Sequence, residues 1–218
     1  MSMRWALILA VPLLAAAQSA AAPEPNHVVM PLLKRVLDFH IDATFAPQPL
    51  QRNATTVLLE FLVEGETFEN WRRLVTVRAL RGLGASTTST KDIARQLFDP
   101  KPCGTSGRLD VGAEQPVVGP LKRSVVVISC GRSPGTAFAG DKAGQGEQDF
   151  IYLFRDDTNV YTLNYAVRGP GFDRPPIDPA NAEAVLTQQF GEVRLCGSVN
   201  EPGCKEPIEF ARSRENGQ

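Results

Sequence analysis

The sequence predicts an α+β fold, an antiparallel β-sheet flanked by helices, and three features of the 218-residue chain predict it. Val57, Leu59, Phe61 and Val63 alternate with Leu58, Glu60 and Leu62, the period of two expected of a half-buried strand. The run "FIYLFRDDTNVYTLNYAVRG" sets two apolar, aromatic-rich segments around the polar turn Asp156 to Asn159, as a β-hairpin does. No regular strand-helix-strand alternation appears, so a parallel sheet is not expected.

Taken in order, the first residues carry one charge at Arg4, an apolar run from Trp5 to Ala17 and a small-residue stretch of alanines. That is the form of a secretory signal peptide over residues 1–22, with cleavage expected near Ala20 to Ala22. Residues 23–30 are expected to be a mobile, proline-marked tail, residues 31–204 a single domain and residues 205–218 a frayed end. After cleavage no membrane span remains. The balance of 23 Lys and Arg against 24 Asp and Glu gives no support for nucleic acid or anionic lipid as a partner.

Leu32, Leu33, Val36 and Leu37 stand at helical spacing and predict a short helix, which Pro47 and Pro49 prevent from extending further. After the strand at Val57 to Val63, Gly65 turns the chain and Thr67 is placed to cap a helical turn. A second strand from about Arg73 follows, with Val75, Val77 and Ala79 on one face and Thr76 and Arg78 on the other. The two strands are expected to pair antiparallel.

Ser89 or Thr90 caps a short helix that buries Ile93, Ala94, Leu97 and Phe98 and stops at Asp99-Pro100. "RSVVVISC" is apolar on both faces and predicts a central strand. Asp178 as cap, Pro179 at the first helical position and Gly191 beyond the end bound the last helix, whose stripe is Ala182, Val185, Leu186 and Phe190.

The four cysteines predict two disulfides in an exported chain, periplasmic or secreted. Three connectivities exist. Cys196 with Cys204 is favoured because "CGSVNEPGC" closes a short turning loop, and Cys103 with Cys130 then follows. Metal binding would need C-x-x-C pairs or more histidines than His27 and His40, so neither metal nor other cofactor is expected.

The stretch "EGETFENW", Glu64 to Trp71, resembles a motif, E-G-x-T-x-x-N-W followed by a strand, of uncharacterised exported proteins of Gram-negative bacteria. The order of elements from Thr55 to Phe190 is similar to that of PsbP-like proteins. The resemblance implies an antiparallel sheet with flanking helices and an exported location, and it brings no catalytic residue with it.

Several residues invite a chemical reading. Gly131-Arg132-Ser133-Pro134-Gly135 matches the G-x-S-x-G string of a nucleophile elbow and follows a strand. The elbow needs a helix after the serine and a backbone N–H on the next residue; Pro134 has no N–H, glycines follow, and no histidine stands downstream. Asp38, His40 and Asp42 would share a face of a strand, letting a carboxylate orient the imidazole for acid-base work or metal binding, but the favoured reading is a partly exposed His40 at a helix end, where a cation is welcome. Glu64, Glu66 and Glu69 read as a solvated turn more readily than as paired catalytic carboxylates.

Trp71, Arg72, Arg78 and Phe138 form the candidate binding set: an aromatic-basic patch of Trp71 with Arg72, Arg73 and Arg78, with Trp71 alternatively a core residue, and an apolar side chain within the glycine-rich loop 131–148. With no complete catalytic constellation, the sequence points to an exported non-enzymatic binding or envelope-accessory protein, its partner an unknown protein or small ligand of the cell envelope. A hydrolase using Ser133 or a carboxylate site at His40, and an inhibitor or immunity protein acting through loop 131–148, are the alternatives.

Overall fold

Alternation of buried and exposed side chains organises the chain from its first strand. The computed structural model describes residues 24–84, 88–117, 119–135 and 142–197. In chain order these form β1 (Asn26–Leu32), β2 (Arg35–Ile41), β3 (Phe45–Pro47), β4 (Gln51–Arg52), β5 (Thr56–Val63), β6 (Arg73–Arg81), α1 (Thr90–Leu97) and a 3-10 turn at Lys101–Ser106. There follow β7 (Gly107–Val111), β8 (Gln115–Pro116), β9 (Lys122–Cys130), β10 (Gln145–Arg155), β11 (Asn159–Pro170), a 3-10 turn at Pro179–Asn181, α2 (Ala182–Phe190) and β12 (Arg194–Cys196).

The fold is α+β. A large sheet runs β3-β5-β6-β11-β10-β9-β7, with β4 on β5 and β8 on β9, and a small sheet runs β1-β2-β12. Every pairing is antiparallel, including the expected neighbours β5 and β6. The inner face of the large sheet presents Phe61, Val75, Val77, Leu163, Phe150, Tyr152 and Val127, which pack against Leu37, Phe39 and Ile41 of the small sheet and Leu186 and Phe190 of α2. The outer face carries a second cluster, Val126, Ile128, Ile151, Leu153 and Val160, closed by Ile93 and Ala94 of α1.

The N-terminal expectations are corrected. Residues 26–32 are a strand with Val28, Val29 and Met30 buried, not a mobile tail. The expected helix from Leu32 is instead the second half of a hairpin, β1 pairing with β2 around Leu33-Lys34. The spacing of Leu32, Leu33, Val36 and Leu37 suits a helix or a tight hairpin. The choice is made by Val28, Met30, Phe39 and Ile41, which continue the period of two on either side and reach the core only if the chain is extended. Pro31 is tolerated because β1 is an edge strand and needs no second ladder.

β5, β6, α1, β9, the β10-β11 hairpin and α2 stand where the sequence puts them. The short strands β3, β4, β7, β8 and β12 lack a periodicity of their own and are not expected from the sequence, and the end of the expected loop 131–148 belongs to β10 from Gln145 onward. Ser89 caps α1, its hydroxyl accepting from the Asp92 amide at 3.2 Å, and Asp178 accepts from the Ala180 amide at 3.0 Å ahead of α2. Gly191 ends α2 with a φ of 65°, the left-handed conformation that glycine adopts without strain. At Gly65 to Trp71 the expected helical turn is an irregular one, in which the Thr67 amide donates to the Asn70 side chain at 2.7 Å and the Arg72 amide to Glu66 at 3.0 Å.

Cys103 and Cys130 are joined, with 5.5 Å between their Cα atoms, so the 3-10 turn before β7 is tied to the end of β9. Cys196 is also disulfide-bonded, while Cys204, its expected partner, lies outside the described residues, as do residues 1–22 and 205–218. A disulfide buried in this way is the usual mark of a chain that folds outside the reducing cytosol. Among the described residues no helix is long and apolar enough to cross a membrane.

Candidate functional site

Arg73 is the first residue of β6, and it stands in phase with Val75, Val77 and Ala79. A side chain in that phase belongs to the inner face, so the strand alternation carries a guanidinium to the rim of the apolar core. There it lies over the ring of Phe45, 5.3 Å from the centroid. It borders a cavity of about 520 Å³ formed by the sheet, the outward side of α2 and the chain before β1.

Opposite β6, Tyr165 and Val167 of β11 present the same face, since Val75 pairs with Tyr165 and Arg73 with Val167. Tyr165 packs edge-on against Phe190 of α2, the ring centroids 6.4 Å apart. Burial pushes its phenol above the ordinary tyrosine value and Arg73 pulls it part of the way back, so the hydroxyl keeps its proton at neutral pH. Val185, Gln188 and Gln189 of α2 and Ile177 close the cavity from above. Among the described residues Gln189 Nε2, which is buried, has no hydrogen-bond partner.

Asp42, just beyond β2, completes the rim. Its Oδ1 accepts from the Thr44 hydroxyl at 2.7 Å and the Thr44 amide at 2.8 Å, and those bonds hold its carboxyl below the usual aspartate value. Among the described residues Arg73 makes no ion pair. The contrast is sharp with Arg35, Arg155 and Arg168, each of which is well buried and paired with a carboxylate at 3.1 Å or less.

A second cleft of about 460 Å³ lies between β9 and the start of α2. Its cation, Arg123, is already neutralised by Glu183 at 3.0 Å and lies over Tyr152, 4.9 Å from the ring centroid. The Arg73 cavity is therefore the stronger candidate for binding.

The residues singled out in the sequence are dispersed. Trp71 is only 4% exposed and packs with Leu62, Leu74 and Ala166, so it is core. Arg72 projects into solvent, and Arg78 lies half-buried on the outer face of the sheet, where its charge opposes the rise that burial imposes on Glu60. Phe138 lies outside the described residues.

Ser133 is 4% exposed, and its hydroxyl accepts from the Gly135 amide at 2.9 Å. It is a turn residue held beneath the surface rather than a presented nucleophile, and the nearest described residues after it, 134–135 and 142–144, are not helical. In "DFHID", Asp38 bonds His27 Nε2 at 2.7 Å, while His40 stacks on the ring of His27 at 4.8 Å, so the expected orientation of His40 by Asp38 is replaced by a cross-strand arrangement. Glu66 and Glu69 are taken up in the turn before Trp71, as the solvated-turn reading expects.

Arg73 enters the sequence reading only as a member of the aromatic-basic patch beside Trp71, and Tyr165 and Gln189 carry no functional mark there, although a signal for Arg73 at the core edge is present. An arginine in phase with three buried apolar residues is out of character for a solvated side chain, and it marks a place where charge is brought to the core edge. No known protein family matches the chain, and no curated protein resembles it closely enough to count as a relative.

Proposed function

We propose that this chain is an exported, non-enzymatic binding protein of the cell envelope, holding a small ligand in the cavity between α2 and the large sheet. The observation that carries the reading is Arg73, a half-buried guanidinium with no ion pair among the described residues, facing a cavity of about 520 Å³. Among the described residues Arg73 is met by a hydrogen bond to the neutral Tyr165 hydroxyl and by the through-space charge of Asp42, so a ligand carrying an anionic group gains a direct ion pair there. The signal-peptide form of residues 1–22, the buried disulfide and the likeness of Glu64 to Trp71 to exported proteins support the compartment.

The test is a fragment screen followed by amide NMR on the full chain. Hits are expected to shift Val167, Ile177 and Val185, and Val185→Trp, which fills the cavity, is expected to abolish those shifts while leaving the fold intact. A library in which no compound moves these resonances overturns the proposal.

A further inference from the structure

Resting on that reading of the cavity, we infer that its ligand is a small zwitterion with an aliphatic body, a free apolar α-amino acid or a short peptide of such residues. Its carboxylate is bound by Arg73 and its ammonium by Asp42.

Two opposite charges line one cavity without neutralising each other by contact. Arg73 has no ion pair among the described residues, and its planar fork is shaped to receive both oxygens of a carboxylate. Asp42 is ionised and oriented by Thr44, whose two hydrogen bonds occupy Oδ1 and leave Oδ2 without a hydrogen bond from the described residues. Arg73 also acts on Asp42 through space, so the two charges share one electrostatic environment.

A ligand with only a carboxylate gains at Arg73 and loses at Asp42. A ligand with only an ammonium does the reverse. A molecule with both groups, set a few bonds apart, gains at both ends, and charge complementarity of this kind fixes specificity and register.

The rest of the lining agrees. The Tyr165 hydroxyl, which accepts from Arg73 and keeps its own proton, and Gln189 Nε2, buried with no hydrogen-bond partner among the described residues, are donors suited to carboxylate or carbonyl oxygens. A buried donor without a partner is a standing cost that a bound acceptor removes. Val167 and Val185 supply an apolar wall for an aliphatic side chain.

Titration calorimetry on the full chain tests the assignment, with leucine, dileucine, 4-methylpentanoate and isopentylamine as probes. Leucine or dileucine is expected to bind at least tenfold more tightly than either singly charged analogue, and the better of the two separates amino acid from peptide. Arg73→Gln should weaken the zwitterion tenfold or more and spare isopentylamine. Asp42→Asn, at an exposed position that leaves the core untouched, should abolish the preference for leucine over 4-methylpentanoate. Equal binding of the singly charged analogues overturns the assignment, as does an Asp42→Asn variant with unchanged preference. If none of the four probes binds while other fragments shift Val185, the zwitterion fails and the cavity reading stands; if no fragment shifts Val185, both fail.

Discussion

The guanidinium of Arg168 sits over the indole of Trp71, 3.7 Å from the ring centroid. The same side chain donates from Nε and Nη2 to Glu147 Oε2 at 2.9 and 2.6 Å, across the β10-β11 ladder where the two residues are direct partners. Both charges are almost wholly out of water, with side-chain exposures of 3% and 7%. The turn from Glu64 to Asn70 thus has a structural purpose: it delivers Trp71 as a lid over a buried ion pair.

Removing one partner leaves the other charge stranded. Glu147→Ala is expected to destabilise the fold by about 3–5 kcal/mol, and Trp71→Ala by a similar amount, because the cavity and the uncovered cation add together. The double change Glu147→Leu with Arg168→Met should recover most of the Glu147→Ala loss. Urea unfolding of the four proteins measures this; a double variant no better than Glu147→Ala contradicts it.

Asp149 gives a pH-dependent counterpart. Burial pushes its carboxyl up to about 6, against the smaller opposing effects of a hydrogen bond from Asn164 at 3.0 Å and the charge of Arg168. Below about pH 4 the folded and unfolded chains both hold the proton, so burial costs little; as pH rises towards 6 the unfolded chain loses it first and stability falls. Above that range the penalty is fully present, about 3 kcal/mol at most. Asp149→Asn should therefore stabilise the protein by about 1–3 kcal/mol at neutral to mildly alkaline pH and by nothing near pH 3.5. Its amide would stand beside the Asn164 side chain, whose Oδ1 is buried with no hydrogen-bond partner among the described residues. Equal stabilisation at both pH values in urea titrations would contradict the assignment.

Leu33 is the only non-glycine residue described with a positive φ, 52°, and it occupies the turn between β1 and β2. A β-branched side chain tolerates that conformation worse than leucine does, so Leu33→Val should cost about 1–2 kcal/mol. Leu33→Gly relieves the strain but gives up packing on the core, and the two effects should leave it near neutral. Thermal unfolding with Val less stable than Gly is the expected order.

Ser133→Ala removes an acceptor from the Gly135 amide and is expected to cost about 1 kcal/mol of stability. Ligand uptake by the Arg73 cavity should be unchanged, because Ser133 does not line it. Loss of a hydrolytic activity on this substitution would reverse the reading of Ser133.

What the sequence disclosed follows the range of the interaction involved. β5, β6, β9, the β10-β11 hairpin and α2 were legible because each writes its burial in its own periodicity, and Ser89, Asp178 and Gly191 punctuate the helices locally. The β1-β2 hairpin was misread because four apolar residues around Leu33 satisfy both periods, and only packing against Phe61 and Phe190 decides between them. Asp42 and Arg73 stand in stretches the sequence marks, but nothing in it joins them into one cavity. Asp42, Arg73, Tyr165 and Gln189 come from four separate elements and meet only through strand register and the docking of α2. Trp71, by contrast, was recognised as a residue of consequence, but its partner Arg168 lies almost a hundred residues away in sequence.

The pairing of β12 with β2 has a consequence for the order in which the molecule is assembled. Leu195 is matched to Leu37, so the middle strand of the small sheet waits for its second neighbour until nearly the whole described chain exists. A polypeptide emerging N-terminal end first can close the β1-β2 hairpin early, but α2 and β12 arrive last, and such long-range closure is slow. The cavity, roofed by α2, is then among the last described features to appear. A chain shortened before α2 has the large sheet but lacks the wall that Val185, Gln188 and Gln189 contribute, which ties the proposed ligand binding to synthesis through α2.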